Sequence, residues 1–249
     1  VYDKYGSAHI EIIGGEPFLY PNFKDLLKQL SRVHNIGITT NLSCSIDDFI
    51  NEIDCSRVKI KPTFHPLFEN FDDFIKKMLI INKKLSYNSV FYLAYPPQIK
   101  LINHYKKRFA EFGITLEALS FWGEYQKIQY PQGYTEEERD ILNSCMGTRE
   151  GEKFQLEPKN VKGKLCKAGH ISGAIKPNGQ VFRCGGLGSR AIGNIFSDDF
   201  QLLDKAIPCE SEFCPCNEWA LLLADKDLPA EIKTEDKKGS KEGNTLIKG

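Results

Sequence analysis

The chain has 249 residues and a formal net charge of zero, with 41% hydrophobic and 27% charged residues. That length allows one large or two modest domains with a real core, and the composition is ordinary for a soluble globular protein. Balanced charge gives no electrostatic case for nucleic acid, and no apolar run approaches the roughly 18 residues of a membrane span, so neither partner enters the reading.

Residues 8–13, AHIEII, form a β-prone apolar run ended by Gly14-Gly15-Glu16-Pro17. From Asn22 to Val33, residues Phe23, Leu26, Leu27, Leu30 and Val33 recur at helical spacing. Ile36–Thr40 reads as a strand, and Ser45 or Asp47 caps a short helix through Ile53. Val58–Thr63 is the next strand, and Phe71, Phe74, Ile75, Met78 and Leu79 mark a helix over 71–85. Ser89–Ala94 is a strand bounded by Pro96-Pro97. Ile102, Tyr105, Phe109 and Phe112 mark another helix, and 114–121 closes the series as a strand.

Five strands alternating with four helical connections predict an α/β fold with a parallel sheet and crossover helices. In such a sheet, ligands sit at the carboxyl ends of the strands. The pocket is therefore expected at 14–17, 39–41, 63–65, 95–97 and 122–124, with Glu124 and Tyr125 as further candidates. Thr135 with Glu138 forms a capping box that opens a helix carrying Ile141, Leu142 and Cys145. Residues 147–163 read as a loop. After Ala224 the composition turns to Lys, Glu, Asp, Gly and Pro, which predicts a disordered tail over 225–249.

Two stretches carry chemistry. At Gly14-Gly15-Glu16-Pro17, the glycines let backbone approach a ligand closely, and the following carboxylate can bind an ammonium group by a charge-assisted hydrogen bond. Further on, five of the eight cysteines fall in 166–219: Cys166, Cys184, Cys209, Cys214 and Cys216. Cys166 and Cys184 are separated by a turn signal, Pro177-Asn178-Gly179. Separated groups of thiolates on turns are what a soft-metal or iron–sulfur site requires. A disulfide framework belongs to short secreted domains, so a metal site in a reducing, cytoplasmic compartment is expected instead. Cys44 and Cys55 read as inert small hydrophobes, and Cys145 as a marginal extra ligand.

The same residues carry a resemblance. The Gly14–Pro17 segment resembles the GGEP motif of radical S-adenosylmethionine (SAM) enzymes, and Thr39-Thr40-Asn41 resembles the tip lining the same pocket. The run Ser172–Cys184 and the following Ile192-Gly193-Asn194-Ile195 resemble the SPASM or twitch extension, the auxiliary iron–sulfur domain of many of these enzymes. The closing group departs from the SPASM pattern: four residues separate Cys209 from Cys214 and one separates Cys214 from Cys216.

The resemblance implies a partial (β/α)6 TIM-like radical SAM barrel over 1–123 and a bridging helix and loop over 124–160. A small cysteine-rich α+β domain then holds one auxiliary 4Fe-4S cluster over 161–224. Its site residues are Gly14, Gly15, Glu16, Pro17, Thr40, Asn41 and His65 for SAM. Cys166, Cys184 and two of Cys209, Cys214 and Cys216 hold the cluster. The family's CxxxCxxC triplet for a second 4Fe-4S cluster is not in the sequence, which opens at Val1, so an amino-terminal truncation is expected. The activity implied is generation of a 5′-deoxyadenosyl radical that abstracts hydrogen from a peptide or small molecule, with an electron donor such as flavodoxin or ferredoxin. The alternative is a non-catalytic zinc or iron–sulfur protein built from the same thiolates.

Overall fold

The structure, a computed structural model, describes residues 1–146, 156–158, 160–186, 189–197, 199–214 and 245–248. Its first strands are β1 (Ala8–Ile12), β2 (Asn35–Thr40), β3 (Val58–Phe64), β4 (Ser89–Ala94) and β5 (Thr115–Ser120). They form a five-stranded parallel sheet in sequence order, each pair joined by a helical crossover, as the alternation predicted. The helices are α1 (Tyr2–Tyr5), α2 (Phe23–Leu30), α3 (Ile46–Glu52), α4 (Phe71–Leu85) and α5 (Ile102–Ala110).

The chain divides into two compact units, neither contiguous in sequence: 14–28 with 38–157, and 1–13 with 29–37 and 158–249. The linear partition 1–123, 124–160 and 161–224 does not contain this return of the first thirteen residues to the unit beginning at Pro158.

The unit built on 38–157 has its core under α4 and α5. Helix α4 starts where the Asn70 side chain accepts from the amides of Asp72 and Asp73, with Asp72 and Asp73 in its first turn and Lys83 and Lys84 in its last. It ends at Ser86 in the left-handed region. Its buried residues are Phe71, Phe74, Ile75, Met78 and Ile81; four of them were expected from the spacing, while Leu79, also expected there, is exposed and Ile81 takes the buried position. Phe64 at the end of β3 is fully buried and meets the rings of Phe71, Phe74, Tyr105 and Phe109 at centroid distances of 5.9, 5.0, 4.9 and 5.4 Å. Alternate residues of β4 and β5 (Val90, Tyr92, Ala94; Leu116, Ala118, Ser120) are buried in register.

One element here was not legible. Residues 124–130, expected as part of a bridging helix and loop, form with Gly123 a hairpin of β6 (Gly123–Tyr125) and β7 (Ile128–Tyr130). Its turn residues Gln126 and Lys127 both have positive φ, 50° and 65°, the geometry of a type I′ turn without the usual Asn-Gly signal. The Tyr134 hydroxyl donates to the Ala94 carbonyl and accepts from the Phe121 amide, both at 2.7 Å, tying the end of β4 to that of β5. Helix α6 (Glu136–Asn143) follows with both hydrogen bonds of the predicted capping box. Most of the loop expected over 147–163 lies outside the described residues.

In the other unit, β1 pairs in parallel with β13 (Thr245–Lys248), which pairs in parallel with β9 (Ser172–Ile175). The sheet continues antiparallel through β10 (Gln180–Phe182) to β11 (Ala191–Asn194). A separate pair joins β8 (Leu165–Cys166) to β12 (Ile207–Pro208). Helix α1 packs within this unit: the Tyr5 hydroxyl accepts from the Leu202 amide at 2.9 Å, and Lys4 Nζ donates to the Phe200 carbonyl at 2.7 Å.

Two expectations differ here. Among the described residues of 160–214 there are strands and turns and no helix, where an α+β mixture was expected over 161–224; residues 215–224 lie outside the described ones. The strands are two to four residues long and broken by glycines, too short for a helical period to establish itself. The tail expected to be disordered lies outside the described residues except at 245–248. There Thr-Leu-Ile, a β-prone run, pairs between β1 and β9.

Candidate functional site

Two clusters stand out, one in each unit. The first is built on Glu16. Gly14 and Gly15 have φ of 99° and 45°, which L side chains rarely adopt, so the chain turns there at little cost only because neither carries a Cβ. Glu16 then caps a short 3₁₀ turn, Pro17–Leu19, with Pro17 at its first position. Its carboxylate is held from three directions. Oε1 accepts from the Phe18 amide at 3.0 Å and from Thr40 Oγ1 at 2.9 Å; Oε2 accepts from the Asn41 amide at 2.8 Å. Thr40 Oγ1 in turn accepts from the Leu42 amide at 2.9 Å, which fixes the hydroxyl so that its proton points at Glu16.

The structure thus brings together Glu16, Thr40 and Asn41, three residues singled out from sequence. A carboxylate offers about four lone-pair positions, and three are used, leaving Glu16 oriented with acceptor capacity to spare.

His65 lies beside this group through a residue the sequence did not single out. The His65 amide donates to Glu69 Oε2 at 2.8 Å, while Glu69 Oε1 is buried with no hydrogen-bond partner among the described residues. Burial pushes the Glu69 carboxyl up to about 7; the negative charge of Glu16 adds to this, while the His65 amide and the Lys77 ammonium oppose it. Burial also lowers the His65 imidazole below its usual range. A lone glutamate in a loop carries no sequence signal, so Glu69 could be found only in three dimensions. Cys44 belongs to the same neighbourhood, its thiol raised to about 12 by burial; Lys77 opposes that and Glu16 adds to it. Such a thiol is an inert neighbour, as expected. Glu124 is exposed and accepts from Gln129 Nε2 at 3.1 Å, and Tyr125 packs on Tyr95 at 5.3 Å. No hydrogen bond among the described residues joins either to Glu16.

The second cluster is the cysteine module. Pairing of Ile207 with Cys166 across β12 and β8 sets Cys209 opposite Lys164, two residues before Cys166. The turn Pro177-Asn178-Gly179 closes the β9–β10 hairpin with Gly179 at φ 79°, and β10 delivers Arg183 and Cys184. That φ favours glycine, and a Cβ there would also press on the Phe196 ring. Cys166, Cys184 and Cys209 line one cavity of about 150 Å³, together with Arg183 and Ser189. Burial raises the Cys166 thiol; Cys209 and Cys184 add to the rise, while the Ala168 amide and the Arg183 guanidinium oppose it. The Ala168 amide donates to Cys166 Sγ at 3.5 Å, and Cys184 Sγ donates to Ser189 Oγ at 3.4 Å.

The three thiols surround the cavity without converging. Among the described residues no three His, Cys, Asp or Glu side chains are grouped closely enough to hold a single metal ion. Cys214 is half-buried and does not line the cavity; Cys216 lies outside the described residues. Cys145, weighed as an extra ligand, is in the other unit, buried with Sγ 3.2 Å from Ser144 Oγ, and does not line the cavity either. None of the seven described cysteines is in a disulfide.

Fold and clusters together define an α/β protein whose parallel sheet is compatible with a partial TIM-like barrel. No protein-family model and no curated protein matches the sequence. Among solved structures, the fold is similar to that of hexahistidine-tagged anSMEcpe with bound AdoMet, at a TM-score of 0.52 and 15% identity, covering 77% of this chain. The chain spans 62% of that protein's length. No described helix is long and apolar enough to cross a membrane.

Proposed function

We propose that this chain is a radical SAM protein: Glu16 binds the ammonium group of SAM, and the cysteine cavity holds an auxiliary 4Fe-4S cluster. The observation that carries the reading is the Glu16 carboxylate, fixed by Thr40, Asn41 and Phe18 directly after two glycines of positive φ. A carboxylate oriented in this way by amide and hydroxyl donors needs no reorganisation to accept a further charge-assisted hydrogen bond. Likeness of fold to a protein that holds AdoMet supports the same assignment.

The cysteine set fits an iron–sulfur cluster on the chemistry of its donors. Cys166, Cys184 and Cys209 present soft sulfur ligands around one cavity, and Cys214 or Cys216 supplies the fourth. Thiols spread around a cavity suit a polynuclear cluster, whose irons stand apart, better than one zinc ion that draws four sulfurs to about 2.3 Å. When bound, the clusters and SAM supply electron transfer and the 5′-deoxyadenosyl radical. The chain's own residues bind and orient: Glu16 and Asn41 the amino-acid end of SAM, His65 and Glu69 the wall beside it. The thiolates for the SAM-cleaving cluster are not supplied by any CxxxCxxC among these residues. A flavodoxin- or ferredoxin-type donor provides the electron, and a peptide or small molecule provides the hydrogen.

Calorimetric titration of SAM into the reconstituted protein tests the assignment. Saturable binding is expected, weakened at least tenfold in Glu16→Gln; an absence of saturable heat in the unaltered chain contradicts it.

A further inference from the structure

We infer that Arg183 is the positioning residue of the cysteine cavity and the cation that its anionic occupant faces. This rests on the reading of that cavity as a metal or cluster site.

Arg183 is 4% exposed. Its guanidinium donates to four backbone carbonyls: Nε to Ala168 at 2.9 Å, Nη1 to Pro208 at 2.9 Å, Nη2 to Ile207 at 2.8 Å and to Cys166 at 3.3 Å. Those carbonyls are not scattered. One belongs to Cys166 itself and one lies two residues beyond it, while Ile207 and Pro208 are the two residues leading into Cys209. Cys184 is the next residue after Arg183. A single planar fork therefore ties together the backbone at all three cavity cysteines, which come from three separate stretches of chain. Lysine, with one nitrogen, cannot reach the same spread of acceptors.

Charge adds a second, independent point. Among the described residues, no carboxylate forms an ion pair with Arg183, and all of its hydrogen-bond partners are neutral carbonyls. A buried cation without a counter-charge is costly, because carbonyl dipoles replace only part of the water it has lost. Glu210 also lines the cavity, but it is exposed and forms no ion pair with Arg183, so the charge that balances the buried guanidinium belongs among the three thiols of the same cavity. Thiolates bound to a metal or cluster leave a net anion there, and each electron added makes that anion more negative. A fixed cation beside it then favours the reduced form, one of the charge effects by which proteins tune iron–sulfur sites.

The test uses the full chain and two variants, Arg183→Lys and Arg183→Met, each checked for an unchanged far-UV spectrum. After anaerobic reconstitution with iron and sulfide, the midpoint potential is read by spectroscopic titration. Arg183→Met is expected to take up less iron and sulfide. What it holds is expected to be about tenfold harder to reduce, a potential lower by about 59 mV for one electron. Arg183→Lys, which keeps the charge, is expected to restore the potential more fully than the stoichiometry. Equal potentials in Arg183→Met and the unaltered chain overturn the electrostatic role, and equal stoichiometry overturns the positioning role.

Cadmium, followed by its thiolate charge-transfer absorption, separates this inference from the cluster assignment. Cadmium uptake without iron–sulfide uptake, weakened about tenfold by Arg183→Met, removes the cluster and keeps Arg183. Uptake of neither removes both.

Discussion

The Glu16 cluster and the cysteine cavity solve opposite problems. Around Glu16 the protein has satisfied its charged group in advance: three donors hold the carboxylate and a further hydroxyl link holds one of the donors. Around the cysteines it has done the reverse, gathering thiols from three stretches of chain beside a buried cation with only neutral partners. The first arrangement is complete without a ligand and gains from one. The second has a buried cation without an ion pair, which an anionic metal–thiolate group would balance. On this account loss of its ligand should leave the Glu16 region folded and should weaken the cysteine region.

The contrast can be broken in several places. The largest effect is expected from Cys166→Ala with Cys184→Ala, which should abolish iron and sulfide uptake while leaving SAM titration in the Glu16 unit readable. Next comes the core beneath the Glu16 unit: Phe64→Ala removes a fully buried ring with four aromatic neighbours and should cost about 3–5 kcal/mol by denaturant unfolding. Glu16→Gln keeps the shape, loses the charge and sets its NH2 either against the Asn41 amide or against the Thr40 and Phe18 donors. Loss of a hydrogen bond to a charged group, roughly 1.5–3 kcal/mol, corresponds to about ten- to hundredfold weaker SAM binding by calorimetry.

Acidity should separate the units by sign. In one, His34 Nδ1 accepts from the Ala8 amide at 3.0 Å, and burial lowers its imidazole below the ordinary value. A depressed histidine contributes stability that is present above pH about 6.5 and is lost as pH falls toward its folded value. In the other, Glu69 is raised from 4.5 to about 7. A raised carboxyl contributes stability that is present below its unfolded value and is lost as pH rises from 4.5 toward 7. Glu69→Gln should therefore flatten that loss, a gain on the order of 1 kcal/mol at pH 8 after solvent screening. Urea unfolding across pH 4.5–8, followed by tryptophan fluorescence, would reveal it, and an unchanged profile would remove Glu69 as the cause. The smallest effect belongs to the β6–β7 hairpin: Gln126→Asn with Lys127→Gly supplies the preferred type I′ residues and should raise stability by about 1 kcal/mol.

What was legible in the sequence is what local spacing controls. The face of α4, the capping box at Thr135 and Glu138, and the alternation of five strands with helices each follow from residues within a few turns of one another. Glu16, Thr40 and Asn41 were legible because each stands at the end of a recognisable strand. Four features were not. The β6–β7 turn uses Gln and Lys where Asn-Gly would announce it. Strand β13 pairs with β1 and β9 across most of the chain's length, and nothing local to Thr-Leu-Ile names those partners. Arg183 and Glu69 read as ordinary charged residues, since their significance lies in what the fold sets around them: four carbonyls in one case, a neighbouring carboxylate and a buried empty acceptor in the other.

Iron, acid-labile sulfide and zinc counted per chain after strictly anaerobic reconstitution test the account most directly. It predicts about four irons with matching sulfide, lost when Cys166 and Cys184 become alanine. One tightly held zinc per chain with no sulfide would contradict it.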